Sequence, residues 1–110
     1  MKIQDDPFTV TDWEQIPAEE FKGETGTSFW QTVNRGDIRV RKIEYSPGYR
    51  ADHWCDKGHI LLVLEGELVI QQKNGQEYAL TQGNSFQASD DESNPHLAFT
   101  EMGAKVFIVD

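Results

Sequence analysis

The residues best equipped for chemistry are His53, Cys55 and His59, which fall within seven positions in the stretch 51–66, ADHWCDKGHILLVLEG. They are two of the chain's three histidines and its only cysteine. Imidazole and thiolate are ligands for transition metals, so the chemistry to test is metal binding. His53 and Cys55 are two apart, and on a strand such side chains share a face. Asp56-Lys57-Gly58 reads as a compact turn, with glycine where a positive φ is cheapest. His59 then opens the apolar run 60–64, which has the length and composition of a buried strand. A hairpin at that turn returns His59 to the side of His53 and Cys55. The third histidine, His96, lies far along the chain, and spacing alone does not say where it goes.

The elements that must hold these residues read as short strands. Phe8-Thr9-Val10 reads as a short edge strand, and 18–21 as at most one helical turn. Strands follow at 27–33 and 38–45 around the turn Asn34-Arg35-Gly36-Asp37. Ser46-Pro47-Gly48 is a turn in which proline presets φ and glycine supplies the left-handed position. Residues 49–55 lead into the hairpin. Glu65-Gly66 interrupts the apolar pattern, 67–72 resumes it, and Asn74-Gly75 is a hairpin signal. Strands at 77–80, 85–88, 97–100 and 104–109 complete a set of about nine or ten, with turn signals roughly every eight to twelve residues. No long helix and no repeat of solenoid period is present. The pattern is that of an all-β sandwich or barrel.

Composition bounds the partners. The chain's 110 residues make one domain, large enough to bury a core. Nineteen acidic against ten basic residues give a formal charge of −9, the wrong sign for a nucleic-acid or anionic-membrane binder. A single cysteine excludes an internal disulfide framework and suits a reducing compartment. No apolar run approaches the roughly 20 residues a membrane helix needs. The expectation is a cytoplasmic protein.

The motifs resemble those of the cupin family. From Gly48 the chain runs to His53-x-Cys55, then His59, then Gly66, which is similar to the first cupin motif. Cys55 stands at that motif's second histidine and His59 at its glutamate. Gly83 and His96 match the ends of the second motif, with a longer segment between them that lacks its Pro-x-Gly. Asp52-His53-Trp54-Cys55, the GETGT stretch at 23–27 and the ending GAKVFIVD resemble a group of small cupins named for a D-H-C-W motif, here with the last two residues exchanged. The resemblance implies an antiparallel jelly-roll β-barrel with 36–110 as its core. Residues 1–35 would be an N-terminal extension with edge strands in the same domain. It also implies that His96 joins His53, Cys55 and His59 around a divalent transition metal, zinc, nickel, iron or copper. Small cupins pair through a sheet face, which implies a homodimer using part of the N-terminal third, where Phe8, Val10, Trp13, Phe29 and Trp30 offer apolar surface.

Other residues have plainer readings beside the functional one. Arg39 and Arg41 share a strand face and are candidates to hold an anionic small molecule, though a salt-bridged face is the commoner role. Tyr49 shares the face of His53 on a regular strand and lines the pocket or the core. Trp54 faces away from the ligands and packs. Asp52, on the opposite face, is poorly placed to orient a ligand histidine. Cys55 is a ligand or a buried thiol, since free cysteine is often simply buried. Three functions remain open: a metal-dependent oxygenase or isomerase-like enzyme on a small molecule, a non-catalytic small-molecule or metal sensor, and a metal-free barrel. No residue is assigned a catalytic role from the sequence.

Overall fold

One long strand organises the molecule. The computed structural model describes residues 2–110 and shows a single 3-10 turn, Trp13–Gln15, followed by eight strands. These are β1 (Glu19–Lys22), β2 (Thr27–Arg35), β3 (Ile38–Tyr45), β4 (His59–Gln72), β5 (Glu77–Thr81), β6 (Ser85–Ala88), β7 (His96–Phe99) and β8 (Ala104–Val109). All pairings are antiparallel. The path runs β1-β2-β3-β8-β4-β5, with β6 and β7 also on β4. The sheet does not close on itself.

β4 serves two ladders. Its first half pairs with β6 and β8, and its second half with β5 and β7. Between them the register with β8 shifts at Val63/Glu65. The shift reverses which residues face inward: Leu61 and Val63 are buried before it, Leu68 and Ile70 after it. Gly66 makes this possible, because its φ is +81° and a side chain there would run into the Gly103 carbonyl. The core is formed by Ile43, Tyr45, Leu61, Val63, Leu68, Ile70, Val106 and Ile108, from β3, β4 and β8.

Several local expectations are corrected. Phe8-Thr9-Val10 pairs with nothing in the sheet, and Phe8 is 97% exposed. The supposed helical turn at 18–21 is instead edge strand β1, held to β2 as Phe21 packs on Trp30 with ring centroids 4.6 Å apart. The run 60–64 is buried only on alternate residues, with Ile60, Leu62 and Leu64 on the outer face. Eight strands form rather than nine or ten. The hairpin at Asp56–Gly58 is absent: residues 49–58 contain no strand, and their only β-bridges to the sheet are single ones at Arg50 and Cys55. Gly58 is required for a different reason. A side chain there would strike the Ala88 carbonyl and the Ser89–Asp90 backbone, while its N–H donates to Asp90 Oδ1 at 2.6 Å.

Candidate metal centre

The backbone brings Cys55 and His96 together without a hairpin. Cys55 N–H donates to the His96 carbonyl at 2.7 Å, and His96 N–H donates to the Cys55 carbonyl at 2.9 Å. Residues paired in this way across antiparallel segments project to the same face. His96 also opposes Gln72 at the far end of β4, in register with the Ile70–Ala98 pair on the core side. His59 arrives from the other ladder. It opens β4 on the inward parity of Leu61 and Val63. The two histidines therefore meet from different ladders, with their Nε2 atoms 3.1 Å apart and their rings nearly perpendicular at 82°. The ligand atoms of Cys55, His59 and His96 all lie within 4.8 Å of one another. Phe86, from β6, packs on both rings with centroids 5.5 and 5.6 Å away.

His53 stands outside this group. Its side chain is 76% exposed, and its Nδ1 is 2.7 Å from Asp52 Oδ1. The shared face expected of His53 and Cys55 required a regular strand, and this segment is not one. Asp52, expected on the opposite face, is the residue that engages His53, and the hydrogen bond holds its carboxyl below the usual range. Trp54 packs under Lys73, whose Nζ is 4.4 Å from the ring centroid. Tyr49 is buried, stacked on Tyr45 at 4.7 Å, and lines the same cavity as the histidines.

A carboxylate that the sequence reading passed over completes the site. Arg39 and Asp110 pair backbone to backbone, and Ile60 opposes Val109, so Arg39, Asp110 and His59 form one inward row across β3, β8 and β4. Arg39 donates from Nε and Nη2 to the two Asp110 oxygens at 3.1 and 2.9 Å, and Arg41 Nη2 donates to Oδ2 at 2.9 Å. Burial alone would raise the Asp110 carboxyl, but the two guanidiniums outweigh it and hold it low. The alternation of Val106 and Ile108 toward the core already aims Asp110 inward, and that was the available signal. Phe86 was legible in the same way, as the one large apolar residue of β6.

Burial, and then the neighbouring His96, push His59 down to about 4. Burial also lowers His96. Both imidazoles are therefore neutral at pH 7, the form that binds metal. The donor spacing fits a metal: two imidazole nitrogens each about 2.0–2.1 Å from one ion lie about 2.9–3.4 Å apart for ligand angles of 90–109°. His59 Nδ1 supplies a second observation, since it is buried and has no hydrogen-bond partner. A metal on Nε2 would leave the proton on Nδ1, directed toward Asp110 Oδ2 3.9 Å away, too far for a hydrogen bond but of the right charge. Cys55, His59 and His96 all line a cavity of about 150 Å³, and three donors would leave an ion there free to take water or a small molecule as a further ligand.

Comparison with solved structures identifies the fold. The chain is similar to an RmlC-like cupin from Shewanella frigidimarina, with 21% identity over 94% of this chain and 90% of that one and a TM-score of 0.76. It is also similar to a protein from Thermotoga maritima described as a predicted oxalate decarboxylase, with 16% identity over 92% and 96% of the chains and a TM-score of 0.72. A third likeness is to Fe(II)-HppE, with 15% identity over 99% of this chain and 62% of that one and a TM-score of 0.74. No protein-family profile and no curated relative matches the sequence. The chain has the fold of a small cupin.

Proposed function

We propose that this protein holds one divalent transition metal through Cys55, His59 and His96 and uses the open side of that centre on a small molecule. The observation that carries the reading is the approach of His59 Nε2 and His96 Nε2 to 3.1 Å, with the Cys55 thiol in the same cluster. Neutral imidazoles and a thiol suit zinc, nickel, iron or copper and not magnesium or calcium. Such an ion supplies Lewis-acid activation of a bound oxygen. The chain's own residues shape the rest: Phe86 packs against both imidazoles, and Asp110 faces His59 from within the Arg39–Arg41 pair. The Fe(II) of one fold neighbour supports iron among the candidate ions, and a centre with only three protein donors is what an oxygenase or isomerase-like enzyme requires. Metal quantification on tag-free protein tests the reading. Stoichiometric metal lost on His96→Ala supports it, and wild-type protein that stays metal-free after exposure to Zn²⁺, Ni²⁺ and Fe²⁺ contradicts it.

The wider setting belongs to the same reading. The division of β4 between two ladders supports a jelly-roll barrel, open here along β5 and β6. The lone cysteine supports a cytoplasmic setting, and no helix among the described residues is long and apolar enough to cross a membrane. The partner in solution is a second copy. Ile60, Leu62 and Leu64 line the outer face of β4, while Phe8 and Val10 extend exposed from the N-terminal segment, giving a stripe and an arm that two copies can exchange. Light scattering at micromolar concentration should give a dimer mass, and a monomer mass would overturn this.

A further inference from the structure

Arg39, Arg41 and Asp110 hold an unequal number of charges. Arg41 is 5% exposed, and its Nη2 reaches Asp110 Oδ2 at 2.9 Å. Arg39 occupies both oxygens of the same carboxylate. One side-chain carboxylate thus answers two guanidiniums, and arginine does not deprotonate to relieve the excess. Arg41 Nε is buried with no hydrogen-bond partner. The Trp30 ring, 4.5 Å from the Arg41 guanidinium carbon, offsets part of the charge but gives Nε no acceptor. A buried donor without an acceptor and a buried charge without a counter-ion are both costly. Yet the fold maintains them on the wall of the cavity that also holds His59 and His96.

We propose that Arg41 is the anchor of an anion subsite in this cavity, and that its ligand is the carboxylate of a small organic acid. Three features select that class. Arg39, Arg41 and Lys57 outnumber the one side-chain carboxylate, Asp110, on this cavity, so its ligand is an anion. The guanidinium fork takes two oxygens of one oxyanion, a carboxylate or a phosphate, and the apolar side chains around it favour the carboxylate of an organic acid over inorganic phosphate. The cavity, about 150 Å³, has room for roughly five water molecules, which suits a small ligand. Ile43, Leu61, Ile70 and Ile108 give the cavity an apolar stretch that suits a short hydrocarbon remainder, while Lys57 adds a second cation to its lining. Arg39 is a positioning residue: by holding Asp110 on both oxygens it fixes the carboxylate that orients Arg41.

The subsite deepens the proposed function by naming the substrate class, and it rests on that reading only for the substrate's place beside the metal; capture of the anion needs no metal. The test titrates chelator-treated protein with sodium acetate at constant ionic strength, following the Trp30 indole resonance by NMR, with inorganic phosphate and methylammonium chloride in parallel. Saturable acetate binding in the millimolar range is expected, together with a rise in Tm. Arg41→Gln should weaken it at least tenfold, and Arg41→Lys should recover part of the loss by restoring the charge. Arg39→Gln should weaken it less than Arg41→Gln. If Arg41→Gln fails to fold, the wild-type titration and Arg41→Lys still decide. Absence of saturable acetate binding by wild-type protein, binding unchanged in Arg41→Gln, or preference for phosphate would overturn the proposal. Acetate capture by protein that binds no metal would leave the subsite standing and remove the metal reading, and metal binding without acetate capture would do the reverse.

Discussion

The two histidines on strands and the histidine of segment 51–58 make an instructive contrast. His59 and His96 open β4 and β7, each fixed by ladder partners on its strand, and their ring nitrogens meet at 3.1 Å. His53 lies two residues before Cys55 on a segment that has no ladder, and its ring is exposed against Asp52. Side-chain type is the same in both places. What differs is the backbone that aims it, since a preorganised ligand set requires supporting elements that cannot slide. Cys55 shows the intermediate case: it lies in the irregular segment, but one reciprocal pair of hydrogen bonds to His96 is enough to turn it to the site.

The largest expected effect sharpens that contrast directly. His59→Ala or His96→Ala should remove stoichiometric metal, whereas His53→Ala should lower metal affinity by less than about tenfold, the lower end of what even an outer partner of a ligand costs. Metal titration of the three variants checks this, and equal losses would erase the distinction between strand and segment. Next in size is Asp110→Asn, which leaves Arg41 buried without its carboxylate and should cost about 3 kcal/mol in urea unfolding. A change under about 0.5 kcal/mol would show that the Arg39–Asp110–His59 row is not a unit.

Acid should destabilise the metal-free fold through its buried histidines. In metal-free protein the folded state holds His59 unprotonated down to about 4, while the unfolded chain takes up that proton near the ordinary 6.5. Between those values the unfolded state binds more protons, so stability falls as pH drops from about 6.5 toward 4, by at most roughly 3 kcal/mol. Unfolding of chelator-treated protein across that range measures it, and a flat profile would contradict the burial of His59. The smallest effect belongs to the exposed segment. Trp54→Ala loses a half-buried ring stacked under Lys73 and should cost about 1 kcal/mol of stability, with metal affinity unchanged.

How much of this was legible in the sequence depends on whether a residue's position follows from local pattern. The bounds of β3 and β8 follow from hydrophobic alternation and their turns, and both lie where the pattern puts them, at Ile38–Tyr45 and Ala104–Val109. The all-β class follows from the same signal. The hairpin at Asp56–Gly58 was a false reading, because glycine serves close backbone approach as readily as positive φ, and only the loop after β6 reveals which. His53 was misplaced because the period of two holds only where a ladder enforces it. Asp110 was overlooked although its parity was available, since a carboxylate at the end of a strand has no meaning until Arg39 and Arg41 are set beside it. The bulge in β4 could not be counted from the sequence, and it decides which of the strand's residues face the cavity.

X-ray absorption at the metal edge of zinc-loaded protein tests the central claim most directly, because it reads the ligand set itself. The account predicts two imidazole nitrogens at about 2.0–2.1 Å and one sulfur at about 2.3 Å, with the sulfur shell lost in Cys55→Ser and the spectrum unchanged in His53→Ala. A spectrum with no sulfur shell, or with a third imidazole that disappears in His53→Ala, would contradict it.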